Sequence, residues 1–369
     1  MRVALDARYG LVANRRGIGV ATYHLLRAWR DMGTPDIELF AFADDRADTA
    51  VIQEFAKSPV TVVVLPGRPF VFWEQISLPR AARRYGADLI HALANVGPLT
   101  TPLPLVVSMH DVIEWHRGRE FPAHLSLRHR LSRAYRMGAM AKHARAARAI
   151  HTVSHHAAED IHQTLRVPRE KIWVVPLGYA LRPGPEDLSV LHESGLSPGA
   201  YAMAFGALDL RKNTKLLIDL WNTQTMPLDL VLVGLEQAAL LYWRARLLPN
   251  GRVHLLGFES DSRVKALMQH ASVFLYPSFY EGFGLPALEA LSLGVPVILG
   301  RGTSAEEISQ GAALGVAVID IEAWRAGITR VVQDNILRRT LMTRGREVAK
   351  QYTWARTATR LLDLYRTVQ

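Results

Sequence analysis

Two carboxylates, Glu281 and Glu289, stand eight residues apart around Gly282-Phe283-Gly284-Leu285-Pro286. A carboxylate accepts two hydrogen bonds at once from a vicinal diol, such as those of a ribose or a pyranose. The glycines let backbone approach a ligand closely. Pro286 suits a first helical position, so the amides of Phe283, Gly284 and Leu285 would stand at a helix start, with Glu289 near the first turn. Singly, Glu281 reads equally well as a loop charge and Glu289 as a helix-dipole residue. Their combination with the glycines, the proline and a preceding strand end is what points to a site.

A basic pair, Arg211-Lys212, follows another apolar run within Phe205-Gly206-Ala207-Leu208-Asp209-Leu210-Arg211-Lys212-Asn213. Cations at a helix start oppose the helix dipole, whereas a departing diphosphate gains negative charge that they would stabilise. His110-Asp111 ends a third run, Ser108-Met109. Its imidazole would donate to a sugar hydroxyl or to developing charge, with Asp111 setting the tautomer; a histidine capping a turn is the plainer alternative. Gly17 and Gly19, in the loop that begins at Tyr9, would bring helix-start amides to a phosphate, or form a flexible turn.

Positioning these residues requires strand ends. Strand candidates are Val3–Leu5, Ile37–Phe42, Val60–Leu65, Leu89–His91, Leu105–Met109 and Ile150–Val153, with helical patterns such as Val20–Met32 and Phe72–Tyr85 between them. After Ile172–Val175 comes a Pro/Gly cluster, Pro176-Leu177-Gly178 and Arg182-Pro183-Gly184-Pro185. A second alternation follows: Tyr201–Phe205, Leu228–Val233, Val253–Leu256, Val273–Tyr276, Val295–Leu299 and Val316–Ile319, with a helix at Leu216–Trp221. The expected fold is α/β, two Rossmann-like parallel-sheet domains facing a cleft, with ligands beyond the carboxyl ends of the strands. Domains are expected at residues 1–178 and 179–350, with 351–369 a helix crossing back to the first.

The 369 residues carry 49% hydrophobic and 21% charged residues, ordinary values for a globular chain with sizeable cores. No cysteine is present, which excludes disulfides, thiolate metal sites and cysteine nucleophiles and fits a reducing compartment. Neither a signal-peptide-like N-terminus nor a run of about 18 apolar residues appears. A cytoplasmic protein is expected, peripheral on the inner face of the plasma membrane if it binds lipid. The net charge of +10 suits a polyanionic partner. Between Glu120 and Glu159 no acidic residue occurs, while Arg128, Arg130, Arg133, Arg136, Lys142, Arg145 and Arg148 do. Residues 125–148 read as a basic helix with Leu125, Leu131, Tyr135 and Met140 on an apolar side, and either docking to anionic lipid or a solvated face would account for it.

Taken in order, these residues resemble the retaining glycosyltransferases of family 4, which have the GT-B fold, and the branch that often makes bacterial surface polysaccharides. The matching segments are Gly17-Ile18-Gly19, His110-Asp111, Thr152-Val153-Ser154, Val175-Pro176-Leu177-Gly178, Gly206 to Asn213, Val253 to Phe258, Tyr276 to Glu289 and Gly294-Val295-Pro296-Val297. The resemblance implies that His110 lies near the donor sugar, Glu281 contacts its hydroxyls and Glu289 holds the ribose. It gives Arg211 and Lys212 the diphosphate, with the amides of Phe283, Gly284 and Leu285 completing the donor site and Gly257-Phe258 beside the base. It also implies no metal and no cofactor, the nucleotide sugar being a co-substrate, and an acceptor that is a sugar or lipid-linked. Departures are Leu210 for proline, Gly300 for serine and Glu306 for proline. They bear on loop geometry near the donor, and so on which sugar is used.

The activity expected is hexosyl transfer with retention, GDP-mannose leading and UDP- or dTDP-sugars as alternatives. A nucleotide-sugar epimerase of the same fold is the rival enzyme. A nucleic-acid-binding protein is the rival from another class, disfavoured because the basic residues lack interleaved aromatics beyond Tyr135. A dinucleotide oxidoreductase would need G-x-G-x-x-G at the first turn.

Overall fold

A computed structural model describes residues 1–15, 17–67, 69–116, 127–179, 184–249 and 251–369, with the side chains of 127–129 omitted. Glu120, Leu125, Arg182, Pro183 and the Arg128 side chain, named above, lie outside that description. The chain forms two compact units. One comprises Met1–Trp115, Leu125–Gly178 and Tyr352–Gln369; the other is chiefly Tyr179–Gln351.

The first unit holds seven strands: β1 (Arg2–Asp6), β2 (Glu38–Ala43), β3 (Val60–Val64), β4 (Leu89–Ala92), β5 (Leu105–Ser108), β6 (Ala149–Thr152) and β7 (Ile172–Val174). All pair in parallel in the order β3-β2-β1-β4-β5-β6-β7. The second holds β8 (Tyr201–Phe205), β9 (Asp229–Val233), β10 (Val253–Leu255), β11 (Val273–Tyr276), β12 (Val297–Gly300) and β13 (Leu314–Val316), in the order β10-β9-β8-β11-β12-β13. Helices cover both faces of such sheets. The central strands are therefore buried along their whole length, as in β4, β5, β11 and β12, and read as unbroken apolar runs. Strand order reverses between β1 and β4 and again between β8 and β11. Those are the topological switch points, where a doubly wound sheet binds its ligand.

The helix Trp354–Val368, capped by Thr353, belongs to the first core. Its Ala358, Leu361, Leu364 and Tyr365 pack there with Trp29 and Leu26. Each large apolar side chain so buried contributes roughly 1.5–3 kcal/mol. A buried relay ties this helix to the sheet. His151 Nε2 meets the Val175 carbonyl at 3.2 Å, so that nitrogen carries the proton. His151 Nδ1 then accepts from Ser108 Oγ at 2.7 Å, Ser108 accepts from His91 Nε2 at 2.9 Å, and His91 Nδ1 accepts from the Tyr365 hydroxyl at 2.6 Å. One neutral arrangement satisfies every member. Burial pushes His151 down to about 3 and holds His91 well below its ordinary value.

Three expectations need correction. Val316–Ile319 is not the last strand: β13 ends at Val316, and Ile319 is 67% exposed beyond it. Phe72–Tyr85 is not one regular helix, because Trp73–Ser77 forms a π turn before the helix Leu78–Arg84. Pro79 has no amide proton and crowds the preceding turn, and the wider turn absorbs that mismatch. The basic helix, Leu127–Ala146, has no single apolar side. Leu131 is 64% exposed, Met140 is fully buried, and Tyr135 donates to Glu74. Arg133 and Arg136 are both paired with Glu114, which leaves Arg130, Lys142 and Arg145 among its exposed cations.

Candidate active site

Beyond β8, Leu210–Lys212 forms one turn of 3-10 helix capped by Asp209, whose Oδ1 accepts the Arg211 amide at 3.0 Å. Asn213 follows with φ 52°, a left-handed conformation that asparagine tolerates better than most residues. This kink opens the helix Thr214–Thr223 and leaves Arg211 and Lys212 at the strand end. Arg211 Nη1 donates to Glu281 Oε2 at 3.2 Å, and Lys212 Nζ donates to Oε1 at 2.6 Å. Glu281 sits in the loop after β11, the neighbour of β8 across the switch point. The Phe279 amide donates to the Arg211 carbonyl at 2.9 Å, and Ser304 Oγ holds the Glu281 carbonyl at 2.7 Å. Burial pushes the Glu281 carboxyl up, but Lys212 and Arg211 outweigh it, and the group settles below its ordinary value. Two cations therefore face Glu281 and Asp209, at side-chain exposures of only 12–25% for Glu281, Arg211 and Lys212.

Gly284 ends this loop at φ 112° and starts the helix Leu285–Leu293. A Cβ there would also meet the Ala305 Cβ at 3.0 Å, so glycine is needed for both conformation and space. Phe283, Gly284 and Leu285 stand at the helix start, where backbone amides favour an anion. Pro286 occupies its first turn. Glu289 falls in the second turn rather than the first and is partly buried. Gly257 and Phe258 follow β10; the Gly257 carbonyl accepts the Gly234 amide at 2.9 Å, and Phe258 is 59% exposed.

In the first unit His110 follows β5. Its amide donates to Asn95 Oδ1 at 2.9 Å and its Nε2 to the Leu93 carbonyl at 3.1 Å. That carbonyl, rather than the expected Asp111, sets the tautomer. Burial lowers the imidazole below its ordinary value, so the ring is neutral and presents Nδ1 as an acceptor. It would thus receive a hydrogen bond from a sugar hydroxyl, the reverse of the polarity read from sequence. Asp111 Oδ1 accepts the Ile113 amide at 3.3 Å, opening the turn Ile113–Trp115.

Gly17 caps the helix Ile18–Met32. A Cβ on Gly19 would lie 2.4 Å from the Tyr9 carbonyl, so this helix starts directly against the chain leaving β1. Arg15 ties the loop down, donating to the Val12 carbonyl at 2.6 Å and lying 3.8 Å over the Tyr23 ring. Ala21 and Thr22 of the same helix line one small interior cavity with His110, Ser108 and His151. The helix that the glycine loop opens is therefore a neighbour of the histidine in the first unit, as Arg211, Lys212 and Glu281 are neighbours in the second. Sequence reading missed Asp209, Asn95 and Ser304. Asp209 had a signal, an N-cap residue two places before Arg211; the others act over distances that no local pattern shows.

The family profile "Glycosyl transferases group 1" matches residues 197–348, and "Glycosyltransferase Family 4" matches residues 15–182. The chain belongs to the group 1 glycosyl transferases. Among relatives of this group 1 glycosyl transferase, O-antigen chain mannosyltransferase B of Escherichia coli is 33% identical over 233 residues, 60% of this chain. The chain spans 61% of that relative's length. MMP alpha-(1->4)-mannosyltransferase of Mycolicibacterium hassiacum is 27% identical over 310 residues, 77% of this chain and 72% of the other. Among solved structures, HepE of Anabaena in complex with UDP and glucose superposes with a TM-score of 0.73 at 18% identity, covering 100% of both chains. WaaG, a glycosyltransferase involved in lipopolysaccharide biosynthesis, gives 0.71 at 15% identity and covers 99% of both. These neighbours have the GT-B fold of two Rossmann-like parallel-sheet domains, and so does this chain. Among the described residues no helix is long and apolar enough to cross a membrane.

Proposed function

We propose that the chain transfers a hexosyl group, mannosyl first, from a nucleoside diphosphate sugar to a sugar hydroxyl with retention at the anomeric carbon. The observation that carries this reading is the ion-paired cluster Arg211–Glu281–Lys212 at the β8–β11 switch point. A diphosphate competes with Glu281 for the two cations, and a displaced carboxylate is free to take donor hydroxyls. As the C1–O bond to the diphosphate breaks, charge grows on the leaving oxygens beside Arg211, Lys212 and the helix start at Gly284, which lowers the barrier. The acceptor oxygen joins C1 on the same face, and its proton passes to the leaving diphosphate. These cations do the work that a metal does elsewhere, so transfer needs none. His110 accepts a hydrogen bond from a sugar hydroxyl through Nδ1.

The mannosyl preference rests on the two relatives named as mannosyltransferases, and surface-polysaccharide synthesis on the O-antigen enzyme. GDP-mannose therefore leads the donor panel, with UDP- and dTDP-sugars beside it because HepE was solved with UDP. A donor at 100 times its dissociation constant adds roughly 2.7 kcal/mol of stability, so thermal shift ranks the panel. Glu281→Ala should cut transfer at least a hundredfold while leaving nucleotide affinity within about threefold, since both cations remain. Transfer at near wild-type rate in that variant refutes the assignment, and inverted product in an anomeric NMR assay refutes retention.

A further inference from the structure

Across the first switch point from His110 lies a second polar nest that the proposed reaction does not use. Arg8, only 1% exposed, follows β1. Its Nε and Nη2 grip Asp6 at 2.9 and 2.7 Å, and Nη2 also reaches Glu74 Oε2 at 3.2 Å. Glu74, fully buried on the π turn, receives the Tyr135 hydroxyl at 2.5 Å and Gln75 Nε2 at 2.9 Å. The guanidinium lies 4.0 Å from the Trp73 ring centre and 4.5 Å from that of Phe70. Two donors in this nest have no partner, Arg8 Nη1 and Trp73 Nε1. A buried donor without an acceptor is costly, and two in adjacent side chains call for an oxygen between protein and ligand.

Charge selects which oxygen. Asp6 and Glu74 against Arg8 leave the nest negative, and Arg8's carboxylate-facing edge is already filled. A phosphate would meet two carboxylates; a neutral hydroxyl would not. Phe70 is 38% exposed and gives the nest an aromatic face at the surface, suited to the C–H side of a pyranose. We propose that Arg8 Nη1 and Trp73 Nε1 bind a hydroxyl oxygen of an uncharged pyranosyl acceptor that stacks on Phe70. The Phe70 ring, now over the guanidinium, turns aside as the acceptor arrives. The site thus favours a neutral sugar over the phosphorylated acceptor named for several relatives, the D-inositol 3-phosphate glycosyltransferases. The proposal rests on the transfer reaction above.

Methyl α-D-mannopyranoside is the probe. Trp73→Phe keeps an aromatic ring beneath Arg8 and deletes the indole N–H together with about three ring atoms of volume; Phe70→Ala removes the stacking face. Each should raise the KM for the probe roughly tenfold, the effect of one lost neutral contact, with nucleotide affinity as in wild type. Trp73→Phe leaves a cavity in the buried core and should lower the melting temperature, so its KM is read at a temperature where the variant is fully folded. In saturation-transfer NMR without donor, the wild-type signal from the probe should fade in both variants. Unchanged KM and NMR signal in both, as expected if an ordered water fills the nest, overturn the proposal. So does a wild-type enzyme that uses D-myo-inositol 3-phosphate better than the methyl mannoside. Failure of the wild type to bind any nucleotide sugar sinks the transfer reading instead, and the NMR readout stands apart from it.

Discussion

Lowering the pH from 7 to 5 should weaken the first unit by roughly 4 kcal/mol. The cause lies in histidines that fold uncharged. Burial pushes His143 down to about 4 and His151 down to about 3, from an ordinary value of 6.5. At pH 5 both are neutral in the folded chain and protonated in the unfolded one. The unfolded state then binds more protons, so stability falls as pH drops from 6.5 toward the folded values. Each group contributes about 1.4 kcal/mol per pH unit, hence roughly 2 kcal/mol at pH 5. His91 and His110, lowered in the same direction, add to the loss. Glu74, raised by burial, opposes it. The Glu281 contribution disappears only below the ordinary carboxyl value of 4.5, outside this window. Against a typical total of about 5–15 kcal/mol the effect is large. Hydrogen exchange at pH 7, 6 and 5, corrected for intrinsic rates, separates the amides of β5 and β6 from those of the second unit. Opening free energies that stay flat for β5 and β6 refute the reasoning. An unchanged pH slope in His151→Gln, which should lose about one proton, refutes it equally.

Lys212→Ala should weaken binding of UDP or GDP about tenfold to a hundredfold, the loss of one charge-assisted hydrogen bond; calorimetry showing unchanged affinity removes Lys212 from the donor site. Gly284→Ala should cost roughly 1–3 kcal/mol through its φ of 112° and the Ala305 contact, and nucleotide affinity should fall with it; a wild-type melting curve contradicts that. For membrane docking, the exposed Arg130, Lys142 and Arg145 should sediment the protein with phosphatidylserine vesicles at low salt and release it at high salt. Equal recovery with neutral vesicles rules that role out.

Much of the fold was legible because sheets covered on both faces force long apolar runs, and most strand limits shift by a residue or two between pattern and structure. Val316–Ile319 misled because Ile319, an apolar residue in the same run, is exposed. At the site, residue types and strand-end positions could be read from spacing, but partnerships could not. Nothing local joins Arg211 and Lys212 to a carboxylate 70 and 69 residues away. The polarity of His110 was likewise hidden, since it depends on the Leu93 backbone. Arg8 and Glu74 passed unremarked for the same reason: sixty-six residues of chain separate them.

The helix Trp354–Val368 sits in the core built by the chain's opening segments, and Tyr365 meets His91 across 274 positions. Synthesis from the N-terminus therefore delivers the two units out of step. Residues 179–351 are nearly contiguous and can close as soon as they emerge from the ribosome, while the earlier-made sheet must wait for its last helix. Until then Trp29, Leu26 and the His91 edge lack their cover, an exposed apolar seam that a chaperone would recognise. Damage near residue 360 should consequently appear as poor maturation of the half made first, with the second unit intact.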